Sequence, residues 1–158
     1  MANLNGLTPA TRAKAEAFFA MCKGTGFIVK LLEGFRTQKR QACYHAQGRR
    51  PLAEVNALRL DEGLYLLSAS ENANTITNCD GISIKSKHQS GNAIDVVPII
   101  KGKIPWNESG INESEASRAW QQLGQLGKSA GFSWGGDWGK TASKLGWDCP
   151  HFELPEGE

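Results

Sequence analysis

The chain has 158 residues, 40% of them apolar and 22% charged, with a net charge of +2. That length suits one complete core, and the balance excludes a disordered chain and a bilayer-spanning one. The small positive excess is also too weak to argue for a nucleic-acid partner.

Met1 to Pro9 has no basic stretch followed by an apolar one. The expectation is therefore a chain without a secretory signal, made and first kept in the host cytoplasm. Cys22, Cys43, Cys79 and Cys149 form no CxxC pair, which fits scattered reduced thiols better than a sulfur-ligated zinc or a redox pair.

Thr8-Pro9 predicts a helix start, with a hydroxyl cap and proline where its missing N–H is not needed. That helix runs to about Lys23, stops at Gly24 and is expected to bury Ala10, Ala13, Ala17, Phe18 and Met21. Phe27 to Glu33 reads as a strand or an apolar segment leading into Gly34-Phe-Arg-Thr37. Thr37 caps a second helix from Gln38 to Gln47, closed by Gly48, and Pro51 opens a third that reaches about Leu60. Ser68 to Asn78 is rich in Ser, Asn and Thr and reads as a loop. Ala93 to Ile100 is β-branched and ends near Pro98 and Gly102, a strand. Asn112 with Glu115 forms a capping box for a helix from about Glu113 to Ala130, ended by Gly131. Phe132 to Trp134 and His151 to Leu154 are two short strands. Helices come first and strands mostly later, which predicts an α+β fold with helices packed on a small, mostly antiparallel sheet.

Two segments concentrate metal-ligating residue types: Ser86-Lys-His-Gln-Ser-Gly-Asn-Ala-Ile-Asp95 and Trp147-Asp-Cys-Pro-His-Phe-Glu153. A hydrolytic zinc site needs three protein ligands and one open position, and His88, Asp95 and His151 supply such a set. Gly91 allows the chain to reverse after His88 and present Asp95 from a strand. Among apolar strand neighbours a carboxylate is costly unless something compensates it, and a metal would. His151 and Glu153 share a strand face. Asp148, three residues before His151, is a candidate general base. Each residue also has a plainer role open to it: a hydrogen-bonded histidine, a turn aspartate. Cys149 fits a buried thiol better than a fourth ligand. His45, mid-helix, has no metal-site signal. Asp137 and Trp138 read equally well as groove lining or as a closed turn with a core ring.

Ser-x-His-x-x-Gly-x-Ala-x-Asp, followed much later by Asp-x-Pro-His-Phe-Glu, resembles the VanY-type D-alanyl-D-alanine carboxypeptidase superfamily, and within it the L-alanyl-D-glutamate endopeptidase branch that includes many bacteriophage endolysins. Gly34-Phe-Arg-Thr37 with Gln41, the Ala46-Gln-Gly-Arg49 helix end and Phe132-Ser-Trp-Gly-Gly-Asp-Trp138 extend the resemblance over residues 27–154. It implies a Hedgehog/D,D-peptidase-like fold, one Zn2+ per chain on His88, Asp95 and His151, and Asp148 as catalytic base. It also implies that Arg36 holds a substrate carbonyl or carboxylate, with Gln41 and Ser86 beside the substrate. Many carboxypeptidase members carry Glu where this chain has Asp148, and Asp is what the endolysin branch tends to show.

The expectation is therefore a single-domain zinc peptidase spanning residues 1–158, without a separate wall-binding module. It would act as a phage-type endolysin on the peptidoglycan stem peptide, as a monomer, with no nucleic-acid partner and no stable membrane association. Such an enzyme would reach the wall once the membrane is breached. Alternatives are a D-alanyl-D-alanine carboxypeptidase or dipeptidase on the same site, a non-catalytic wall-binding module, or a phage structural component. Residues 52–80 match the family poorly and read either as a loop that shapes the substrate groove or as packing, the second being favoured.

Overall fold

A computed structural model describes residues 2–157. Its contacts divide the chain into two compact units, one made of the residues up to Phe35 together with those from Gly91 onward, the other of Arg36–Ser90.

In the first unit helix α1 spans Pro9–Gly24, and strand β1 spans Val29–Glu33. Strand β2 is Ala93–Pro98, and a long helix, here α4 because two helices of the other unit intervene, is Glu113–Ser129. Strands β3, Ser133–Trp134, and β4, His151–Glu153, complete it. All pairings are antiparallel, in the order β1-β2-β4-β3. The α+β fold read from the sequence is the one observed. Ile94, Val96 and Val97 of β2 and Phe152 of β4 are fully buried. Phe152 meets Phe18 of α1 at 4.9 Å between ring centroids. α4 lies close to this sheet because it carries glycine at 127, where a Cβ would run into the Phe152 ring.

The predicted helix ends hold. Thr8 accepts from the Thr11 N–H with Pro9 in the first turn, and Asn112 accepts from the N–H groups of Ser114 and Glu115. The buried stripe of α1 differs from the expected one. Thr11, Ala15, Phe18 and Cys22 face inward, whereas Ala10, Ala13 and Ala17 are exposed. Small residues occur on several sides of this helix, so the turn that places Phe18 against Phe152 decides which side is covered. Thr11 is accommodated there because its hydroxyl bonds that of Thr8 at 2.8 Å.

In the second unit helix α2 spans Gln38–Ala46, capped by Thr37, and α3 spans Leu52–Asp61 after Pro51. Ala46, Val55 and Leu67 form its own small core, so part of the segment 52–80 does serve packing. The loop after α3 is tied rather than loose: Glu71 accepts from the Ser68 backbone and hydroxyl at 2.8 and 2.9 Å, and Gln47 donates to the Glu71 and Asn74 carbonyls. No helix among the described residues is long and apolar enough to cross a membrane. All four cysteines are free.

Candidate functional site

Asp95 and His151 are brought together by the sheet. They are directly paired across β2 and β4, although 56 residues separate them in sequence. A one-residue slip would turn both side chains to the opposite face, so the apolar partners Ile94 and Phe152, paired in the adjacent rung, fix the site as well as the core. The approach to Asp95 is set by Gly91, whose φ of +72° suits glycine. Its carbonyl accepts from the Thr8 N–H at 3.0 Å, anchoring the turn to the start of α1.

The His151 ring lies between two carboxylates. Nδ1 is 3.3 Å from Asp95 Oδ1, and Nε2 is 2.9 Å from Glu153 Oε2. Burial disfavours the imidazolium, but the hydrogen bonds to Asp95 and Glu153, with the charges of Asp95 and Asp148, outweigh it and push the pKa up to about 9. The two contacts differ in kind. The Glu153 contact has ordinary hydrogen-bond length, whereas 3.3 Å is long for a charged pair. Two ligands of one tetrahedral zinc, each about 2.1 Å from the ion, stand about 3.4 Å apart. The Asp95–His151 spacing fits that requirement, and Glu153 stands on the far nitrogen, where a ligating histidine commonly bonds an outer carboxylate.

Asp148 is half-buried, and its carbonyl accepts from the His151 N–H at 3.1 Å. The loop that carries it packs on the glycine pair: a Cβ on Gly135 would collide with the Asp148 backbone. Trp134 Nε1 donates to the Cys149 carbonyl at 2.7 Å and fixes the next residue. Cys149 is a half-buried thiol that donates to the Gly146 carbonyl, and burial, with Asp148 nearby, pushes its pKa up to about 11. Asp137 pairs with Lys128 at 2.8 Å and with Lys140 at 3.7 Å, closing the turn. Trp138 packs against His151 at 5.2 Å and against Trp147 at 5.1 Å, a half-exposed position rather than a core one.

The second unit gathers the remaining predicted residues. The Arg36 N–H donates to the His88 carbonyl at 3.1 Å, and the His88 N–H donates to Ser86 Oγ at 3.2 Å. Ser86 thus builds the turn that presents His88, which is buried. The Arg36 guanidinium donates to Gln41 Oε1 at 2.8 Å and lies over the Tyr44 ring at 4.8 Å. Gln41 is itself fully buried, its amide donating to the Cys79 carbonyl at 2.7 Å. It is a holder of Arg36, a role that its five-residue spacing alone did not reveal. Glu153 was recognisable in sequence only as a residue on the His151 face; its hydrogen bond is what assigns it a part in the site.

Residues 81–154 match the D-alanyl-D-alanine carboxypeptidase family of peptidases. Over 149 residues the chain is 28% identical to the peptidoglycan L-alanyl-D-glutamate endopeptidase CwlK of Bacillus subtilis (strain 168), covering 94% of this chain and 73% of that protein. Its fold is similar to that of the Serratia marcescens L-Ala D-Glu endopeptidase ChiX, with a TM-score of 0.52 and 19% identity over 97% of this chain and 84% of that one. It is also similar to the vancomycin resistance D,D-pentapeptidase VanY in complex with Zn(II), with a TM-score of 0.52 and 17% identity over 98% and 76% of the two chains. Ordered motifs, a matched segment and a similar fold point the same way: the chain is similar to D-alanyl-D-alanine carboxypeptidases and to peptidoglycan L-alanyl-D-glutamate endopeptidases.

Proposed function

We propose that the protein is a zinc-dependent peptidoglycan endopeptidase that cuts the stem peptide between L-Ala and D-Glu and serves as a phage-type endolysin. The observation that carries the reading is the Asp95–His151 pair at 3.3 Å, with Glu153 on the other imidazole nitrogen. His88 is proposed as the third ligand, seven residues before Asp95 and joined to it through the Gly91 turn. Two imidazoles and one carboxylate are a hydrolytic rather than a structural zinc set, because they leave a position open.

Zinc, when bound, supplies a Lewis acid and a water acidic enough to ionise near pH 7. Asp148 takes the proton of the attacking water and passes it to the leaving amine. Arg36, held by Gln41, binds a carbonyl or carboxylate of the stem peptide and stabilises negative charge as the carbonyl becomes tetrahedral. Ser86 Oγ, which accepts from the His88 N–H, keeps its own proton to donate to the peptide backbone.

The likeness to CwlK, a peptidoglycan L-alanyl-D-glutamate endopeptidase, supports the choice of bond, as does aspartate rather than glutamate at position 148. The family match, described as D-alanyl-D-alanine carboxypeptidase, favours a second reading in which the terminal D-alanine is removed from the same site. Digestion of purified muropeptides, followed by mass spectrometry, separates them. Release of the stem peptide beginning with D-Glu is expected; loss of a single terminal alanine would replace the endopeptidase reading with the carboxypeptidase one.

A further inference from the structure

A groove of about 980 Å³ is lined by Trp106, Trp120 and Trp147, with Cys149 and Pro150. Tryptophan is usually covered in folded proteins, yet here Trp106 is 45% and Trp147 75% exposed. Both rings are held. Trp106 packs on Trp120 at 5.3 Å, and the Trp120 indole N–H donates to the Pro105 carbonyl at 3.2 Å. Trp147 packs on Trp138, which packs in turn on His151. These are fixed flat apolar platforms that open to solvent, and their match is a ligand with flat apolar faces and a polar edge.

The rest of the lining narrows the class. Lys103 and Lys144 are balanced by Glu108 and Glu113, so the groove carries no net charge and suits neither a polyanion nor a basic peptide. The hydroxyls of Ser109, Ser117 and Ser143, with the Asn107 amide, offer donors and acceptors around the rings. A neutral pyranose with hydroxyl and acetamido groups meets both conditions. The volume stands near the upper end of small-molecule sites, which run to about 1,000 Å³, and accommodates more than one ring.

Position supplies the remaining argument. Trp147, Cys149 and Pro150, on either side of Asp148 in sequence, all line the groove. In peptidoglycan the L-Ala of the stem is joined to the sugar, so a bond cut between L-Ala and D-Glu lies one residue from the glycan. One residue spans at most about 3.6 Å and the lactyl link between L-Ala and the ring about as much again, so the sugar of such a substrate comes within roughly 8 Å of the reacting carbonyl. We infer that the groove lined by Trp106 and Trp147 binds the glycan strand and takes the N-acetylated sugar that bears the stem peptide. The inference rests on the endopeptidase reading.

The test compares hydrolysis of a disaccharide tetrapeptide with that of the same tetrapeptide without sugar, by wild type, Trp106→Ala and Trp106→Phe. Wild type should favour the sugar-linked substrate, and Trp106→Ala should lower kcat/KM for it about tenfold, the worth of one aromatic contact, while leaving the free peptide within about twofold. Trp106→Phe, which keeps a flat face, should retain most of the preference. Equal losses on both substrates, or no preference in wild type, would overturn the subsite. Binding of the free disaccharide, read by tryptophan fluorescence, tests the groove apart from the reaction. Quenching lost in Trp106→Ala and in the exposed-ring variant Trp147→Ala supports it, and absence of quenching in wild type refutes it. If the groove binds sugar but neither substrate is cut between L-Ala and D-Glu, the choice of bond fails and the subsite stands.

Discussion

Arg36 and Gln41 are joined side chain to side chain at 2.8 Å, and Gln41 is in turn held by the Cys79 carbonyl. A guanidinium over the Tyr44 ring and against a buried amide loses little freedom when it meets a substrate oxygen. Gln41→Ala should therefore act twice. It leaves the Cys79 carbonyl without its donor, destabilising the fold by about 1–3 kcal/mol, and it frees the guanidinium, lowering kcat/KM on muropeptides by roughly tenfold. Denaturant unfolding and steady-state kinetics read the two effects separately. Arg36→Lys keeps the charge but loses the fork and should lose activity with little loss of stability.

Asp148→Ala should leave zinc bound and reduce turnover by about 10²–10⁴-fold, the range for a positioned proton carrier. Metal content by atomic emission and hydrolysis of purified wall, measured on one preparation, check both halves. Unchanged hydrolysis would remove Asp148 from the reaction.

Glu153→Gln replaces the charged acceptor on His151 Nε2 with a neutral one. Zinc affinity, measured by chelator competition, should fall about 10–100-fold, as it does when the outer partner of a ligating histidine is lost. The fold should hold, since the amide can still accept from the ring.

The raised pKa of His151 has a sign that calorimetry can read on the metal-free protein. The folded value of about 9 lies above the 6.5 of an unperturbed histidine. The stabilisation is therefore fully present below about pH 6.5 and is lost as pH rises through about 9. Tm should decline over that window, and Asp95→Asn should flatten the decline. Zinc requires the neutral ring, so binding at pH 7.5 should release a proton, seen as a binding enthalpy that varies with buffer ionisation.

One zinc per chain is expected, with activity on wall lost to chelator and restored by zinc. Cys149→Ser should leave both metal content and activity intact, because the thiol donates to the Gly146 carbonyl and a hydroxyl can do the same. Loss of the ion in that variant would make Cys149 a ligand.

Much of this was legible in the residues because the signals are local. Thr8-Pro9, Thr37 and Asn112 mark helix starts by chemistry confined to one turn, and each acts as a cap in the structure. The inward face of α1 was not legible. Alanines recur around that helix, and only the seating of Phe18 on Phe152 selects Thr11, Ala15 and Cys22 over Ala10, Ala13 and Ala17. Glu153 and Gln41 were visible as residues beside known motifs, but their hydrogen bonds depend on side-chain placement that spacing does not encode.

The sequence by itself determined the kinds of element, their ends and the residue types able to ligate zinc, since capping, turn formation and donor chemistry belong to a few neighbouring residues. Tertiary structure alone decided that Asp95 stands opposite His151 at ligand spacing, that Glu153 closes the far side of the ring and that Arg36 is braced by a buried amide. Strand register and side-chain burial bring residues dozens of positions apart to within hydrogen-bond distance. They are settled by packing the whole core, which no local stretch of sequence contains.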